Sequence, residues 1–120
     1  MKNHKDLIVW QKSMEFVVRI YMLTRNFPHE EQFGIVAQMR RASVSIPSNI
    51  SEGYARLYEK ETLKFLSNAL GSAAELETQI LISKDLGFLS VQLSAELLSD
   101  IQEIIRMLTA LIKSIDISEQ

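Results

Sequence analysis

Apolar residues recur at spacings of three and four in four long segments of the chain, and alternation of the strand type is essentially absent. In the first segment Leu7, Trp10, Met14, Val17 and Tyr21 form one line, and Val9, Phe16, Ile20 and Leu23 form a second on a neighbouring face. Two lines exceed the single stripe of an ordinary surface helix. Either this helix is deeply buried in a bundle, or its second face meets another subunit. Asp6 stands where an N-cap is wanted. Asn26-Phe27-Pro28-His29 closes the helix, because the residue before a proline is pushed out of helical conformation. The pattern predicts a helix over about 6–25.

A charged connector, Glu30-Glu31, leads to a second helix predicted over about 32–54. Ile35, Met39, Ala42, Ile46 and Ile50 make its inward stripe, while Gln38, Arg41, Ser45, Ser48 and Glu52 make a continuous polar face. Pro47 lies in the middle, where it removes a backbone donor and clashes with the carbonyl of Ser43. A kink is expected there, in preference to a break and restart with Pro47 in a new first turn. The hydroxyls of Ser43, Ser45, Ser48 and Ser51 can serve freed backbone groups or carbonyls one turn earlier. Gly53 is the expected C-terminal marker.

After a turn near 56–59, a third helix is predicted over about 60–86 on Leu63, Leu66, Leu70, Ala73, Leu76 and Ile80. At its middle, Gly71-Ser72-Ala73-Ala74 is a run of small side chains, which predicts a close approach by the bent middle of the second helix. Gly87 ends the third helix, with Phe88 and Leu89 available to fold back on its last turn. Ser90 is a candidate N-cap for a fourth helix over about 91–115, whose stripe runs from Leu93 through Leu97, Ile101, Ile104 and Leu108 to Ile115. Residues 116–120 read as a frayed tail. Four amphipathic segments with short connections specify an all-α, antiparallel up-down-up-down four-helix bundle, one domain over residues 1–120.

Composition narrows the chemistry. With no cysteine there is no disulfide framework, thiolate zinc site or thiol nucleophile, which suits a reducing cytoplasm. No stretch approaches the roughly 20 apolar residues of a membrane helix, and the N-terminus lacks a secretory signal. A soluble cytoplasmic protein is expected. The net charge of −2 does not advertise nucleic-acid binding, but it is unevenly spread. Residues 1–56 carry eight Lys/Arg against five Asp/Glu, and residues 57–120 five against ten. The folded molecule therefore has a basic and an acidic side, or simply helices of differing surface charge.

No catalytic residue, metal ligand set or cofactor site is expected. His4 and His29 fall in a tail and a loop with no partner at metal-ligand spacing. Glu75 and Glu77, two apart on a helix, point to different faces. The serines have no identifiable base. Nucleic-acid binding is the sharper candidate. Arg40 and Arg41 are adjacent and face different sides of the second helix, and Arg56, Lys60 and Lys64 follow near the next turn with Tyr54 and Tyr58 interleaved. Guanidinium forks suit phosphate oxygens, and tyrosine rings suit unpaired bases. A structural role, with Arg41 and Glu52 in ion pairs between helices or subunits, stands slightly ahead for Arg40 and Arg41. A solvated surface is the default for Arg56 and Lys60.

The motif RRASVSIPSNISEG at 40–53, with DLIVWQKS at 6–13, FPHEEQFG at 27–34 and ALGSAAELETQI at 69–80, resembles the 23S rRNA-intervening-sequence proteins, also labelled S23 ribosomal proteins. Ser51 stands where the resemblance leads one to expect Ala. The resemblance implies an antiparallel four-helix bundle and a homopentameric ring, in a bacterial protein encoded inside an insertion of a 23S rRNA gene or elsewhere. It makes Arg41, Ser45, Pro47, Asn49, Glu52, Gly53, Gly71 and Glu75 a mainly structural signature. Similar accessory proteins of diversity-generating retroelements bind RNA and a reverse transcriptase through basic surfaces, so structured RNA or an RNA-handling protein is the implied partner. This chain is far less basic than those relatives.

Overall fold

The computed structural model describes residues 3–118. Its helices are α1 (Ile8–Thr24), α2 (Ile35–Tyr54), α3 (Glu59–Asp85) and α4 (Val91–Ser118), with single 3-10 turns at His4–Asp6 and His29–Glu31. Cross-helix bonds fix their directions. Trp10 near the start of α1 bonds Ser51 near the end of α2, and Arg40 near the start of α2 bonds Thr24 at the end of α1. Ser45 meets Ser72 while Gly53 meets Thr62, so α2 and α3 are also opposed. Lys12–Glu103 and Arg19–Asp100 oppose α1 and α4. Each helix touches its two neighbours, and α1 and α3 lie on a diagonal without contact among the described residues. The result is an antiparallel bundle measuring 47 × 23 × 20 Å.

One apolar core runs the length of the bundle through Phe16, Ile20, Met39, Ile46, Leu66, Leu76, Leu97 and Ile104. The predicted stripes of α2, α3 and α4 supply most of it. On α1 the second line is the inward one: Val9, Phe16 and Ile20 are buried, Trp10 and Val17 are half-buried, and Met14 and Tyr21 are exposed. The deeply buried alternative for this helix is therefore not what the monomer shows. Met14, Val18, Tyr21 and Met22, with Ile8 further along, leave an apolar stripe on its outer face, Val18 being 59% exposed.

Helix ends follow local chemistry, with three corrections. Asp6 caps nothing: it sits inside a 3-10 turn that Asn3 caps, and α1 starts after Leu7 without a side-chain cap. The second helix begins at Ile35, not Gln32, because His29–Glu31 forms its own turn and Gly34 (φ −103°, ψ −118°) breaks the path between them. Residues 116–118 belong to α4 and not to a frayed tail, while 119–120 lie outside the described residues. Ser90 does cap α4, accepting from the Leu93 N–H at 3.1 Å. At the end of α3, Phe88 N–H bonds the Ser83 carbonyl and Gly87 N–H bonds that of Lys84, with Gly87 at φ +80°. That pair of hydrogen bonds is the Schellman closure, and it turns Phe88 back to meet Phe27.

Helix α2 is continuous through Pro47, so the break-and-restart alternative fails. Several local side chains turn to its carbonyls: Ser43 to Arg40, Asn49 to Ser45 and Ser51 to Pro47. The small-residue run on α3 is split by the helical turn. Ser72 faces α2 and Ala73 is buried in the core, whereas Gly71 and Ala74 are exposed, and a β-carbon at Gly71 would meet nothing within 4 Å. The tight approach lies instead at Gly53, which is helical and sits one residue before the end of α2. A β-carbon there would stand 3.1 Å from Cβ of Phe65 and 3.2 Å from the Thr62 carbonyl.

Candidate nucleic-acid interface

The five cations singled out in the sequence do not form one patch. Arg40 and Arg56 are sixteen residues apart on and just beyond α2, about 24 Å along its axis. Arg40 is engaged at the α1–α2 end. Its Nε donates to Thr24 Oγ1 at 3.1 Å, its Nη2 to the Tyr21 carbonyl at 3.3 Å, and its guanidinium lies 4.6 Å from the Tyr21 ring centroid. Arg56 is engaged at the other end, with Glu52 at 3.0 Å and over the Phe65 ring at 4.6 Å. Arg41, Lys60 and Lys64 are exposed, and no acceptor holds them among the described residues.

The tyrosines separate as well. Tyr58 projects into solvent, next to the equally exposed Leu57, while Tyr54 packs against the core and its burial pushes the phenol upward from its usual pKa. Only Tyr58 offers a free ring at that turn.

The signature residues fall into three groups. Ser45, Asn49, Gly71 and Glu75 line one shallow polar groove between α2 and α3, where the Ser45 and Ser72 hydroxyls bond at 2.8 Å and Asn49 Nδ2 donates to Ser45. Pro47 and Gly53 are buried against neighbouring helices. Glu52 pairs with Arg56 just past the end of its own helix, and Arg41 stands apart on the exposed face. Neither Arg41 nor Glu52 makes the expected ion pair to another helix among the described residues.

Two charged clefts were not legible in the sequence. Between α1 and α4, Lys12, Glu15, Arg19, Asp100 and Glu103 line a cavity of about 170 Å³ and largely neutralise one another. The Lys12–Glu103 hydrogen bond holds the ammonium above and the carboxyl below its ordinary pKa. Both groups are at the surface, so the pair contributes little to stability. At the α1–α2 connection, Thr24, Arg25, His29, Gln32 and Arg40 line a second cavity of about 140 Å³ that contains no carboxylate. Beside Gln32 in the chain, Phe33 is 92% exposed. These connector residues carry no periodicity, so only the folded path of 25–34 gathers them.

Among the described residues no three His, Asp or Glu side chains are placed to hold a metal ion, and no helix is long and apolar enough to cross a membrane. The arrangement presents charge, aromatic rings and apolar surface.

Comparison with known proteins places the architecture. The family profile described as 23S rRNA-intervening sequence protein matches residues 5–110. Among solved structures, a protein of unknown function from the S23 ribosomal protein family of Bacteroides thetaiotaomicron superposes with a TM-score of 0.80 at 28% identity, covering 88% of this chain and 99% of the other. The comparison with curated proteins gave no match.

Proposed function

The chain belongs to the 23S rRNA-intervening sequence protein family, and from that membership we propose that it is a non-enzymatic, homo-oligomeric accessory factor of the cytoplasm that binds structured RNA. The observation that carries the binding half is Lys60 and Lys64, exposed beside the free ring of Tyr58, with Arg41 exposed toward the other end of α2; none of the three cations has an acidic partner among the described residues. Cations left open in this way release counterions from a phosphate backbone when they engage it.

The oligomeric half rests on two apolar faces on opposite corners of the bundle. One is the outer stripe of α1, continued onto α2 by Val44. The other comprises Leu81, Ile82 and Leu86 of α3, with Val91 where α4 begins. Two different faces on diagonal helices favour a head-to-tail contact, which closes as a ring when its rotation divides a full turn. Five copies is the number the family resemblance implies.

Titrating a structured rRNA fragment with the full chain tests the RNA reading. With three phosphate contacts, a fourfold rise in salt should weaken binding about twenty- to fortyfold. Absence of binding at low salt, or binding indifferent to salt, would leave the second reading, a protein-interaction scaffold without nucleic acid. The intramolecular engagement of Arg40 and Arg56 favours that second reading.

A further inference from the structure

We infer that the cleft at the α1–α2 connection is a phosphate-binding site. Two arginines, Arg25 and Arg40, line a cavity of about 140 Å³ together with His29, Gln32 and Thr24. No Asp or Glu lines it. The nearby Glu31 carboxylate lies over Gly34, 3.2 Å from where a β-carbon would stand, and is not among the lining groups. The α1–α4 cleft makes the comparison plain. There every cation faces a carboxylate of the same chain, whereas here neither arginine has a carboxylate partner among the described residues.

Arg40 is also fixed before any ligand arrives. Thr24 and the Tyr21 carbonyl take two of its five N–H groups and the Tyr21 ring supports its plane. Three N–H groups are left without an acceptor among the described residues. A preset guanidinium plane gives bidentate geometry at little ordering cost, which suits the oxygens of a tetrahedral phosphate better than a single carboxylate. Arg25, at the C-terminal end of α1, brings a second fork to the same cavity.

The site goes beyond the proposed RNA contact and does not depend on it: Lys60 and Lys64 lie at the start of α3, by the far end of α2, and Arg41, though next to Arg40 in the chain, does not line the cleft. The phosphate can be free inorganic phosphate, the 5′ end of an RNA, or a backbone diester. Thermal unfolding of the full chain in sodium phosphate, against sodium chloride of equal ionic strength, is the first measurement. A rise in Tm on the order of 5 °C is expected once phosphate exceeds its Kd tenfold. Arg40→Gln also loses the Thr24 and Tyr21 bonds, so the informative variant is Arg25→Gln with His29→Gln, two exposed positions. It should lose that rise, while Lys113→Gln, near the opposite end of the bundle, should keep it. No rise in the unaltered chain, or an equal rise in the double variant, overturns the site.

Short single-stranded RNA of one sequence, with and without a 5′ phosphate, separates the sources. At least tenfold tighter binding of the phosphorylated strand, lost in the double variant, assigns the terminal phosphate. Equal binding of both strands, weakened in that variant, assigns the backbone. A phosphate response without binding of either strand assigns the free ion, and leaves the structured-RNA reading to its own titration.

Discussion

Met14→Glu with Val18→Glu is expected to give a folded monomer under conditions in which the unaltered chain sediments as an oligomer, expected to contain five copies. Both side chains stand in solvent in the isolated bundle, so the fold loses little by the change, within about 0.5 kcal/mol for each. In an assembly that covers the outer face of α1, the same change places two carboxylates in an apolar contact without partners. An unpaired buried charge is destabilising by about 3–5 kcal/mol, and a ring repeats that penalty at every contact. Sedimentation together with far-UV circular dichroism reads both halves of the expectation. A double variant that keeps the parent's mass moves the contact off α1, and a monomeric parent ends the oligomer reading.

Gly53→Val is expected to lower stability by about 1–3 kcal/mol, the usual range for overpacking, seen as a fall of roughly 5–15 °C in Tm. The nearest atoms, Cβ of Phe65 and the carbonyl of Thr62, belong to or adjoin the α3 backbone and cannot swing aside. Any separation of the helices also strains the bond from Thr62 Oγ1 to the Gly53 carbonyl at 2.8 Å. Gly71→Ala is the matched comparison. Its new methyl meets open space, so the helical preference of alanine should act alone and raise stability by about 0.5–1 kcal/mol. If Gly53→Val melts like the parent, the α2–α3 crossing is looser than these distances require.

These two glycines show where sequence reasoning ends. Each sits in a helical pattern beside small or polar neighbours, and spacing alone made Gly71 the candidate for a close approach. The helical phase of α2 and α3 was legible, but the height at which they come nearest depends on how side chains of both helices interleave. The inward stripes of α2, α3 and α4 were readable because burial enforces a period of 3.6. On α1 two apolar lines competed, and only packing against α2 and α4 chose the one through Phe16 and Ile20. The start of α2 was misplaced because Gln32 and Phe33 have helical company in sequence, while the backbone of Gly34 does not continue it.

The candidate site was legible to a lesser degree. A row of cations can be read from a sequence, but which of them already have partners cannot. Arg40 is drawn to Thr24 and Tyr21 on another helix, and Arg56 to Phe65 across the turn. Conversely, Arg25 and His29 have no shared pattern with Arg40 and meet it only because the connector folds back beneath α2.

The hydroxyls of the core point to how this chain folds. Ser13, Thr24, Ser43, Ser83 and Ser94 are all buried, and each donates to a carbonyl of its own helix or its cap, three or four residues earlier. Every helix can therefore close these groups while still isolated, and meets its neighbours with few polar demands to match. Collapse of such segments needs little alignment of buried hydrogen bonds between helices, the weak Ser83–Met39 sulfur contact being one that crosses. With short connections and mostly local contacts, the bundle falls in the class that folds in microseconds to milliseconds.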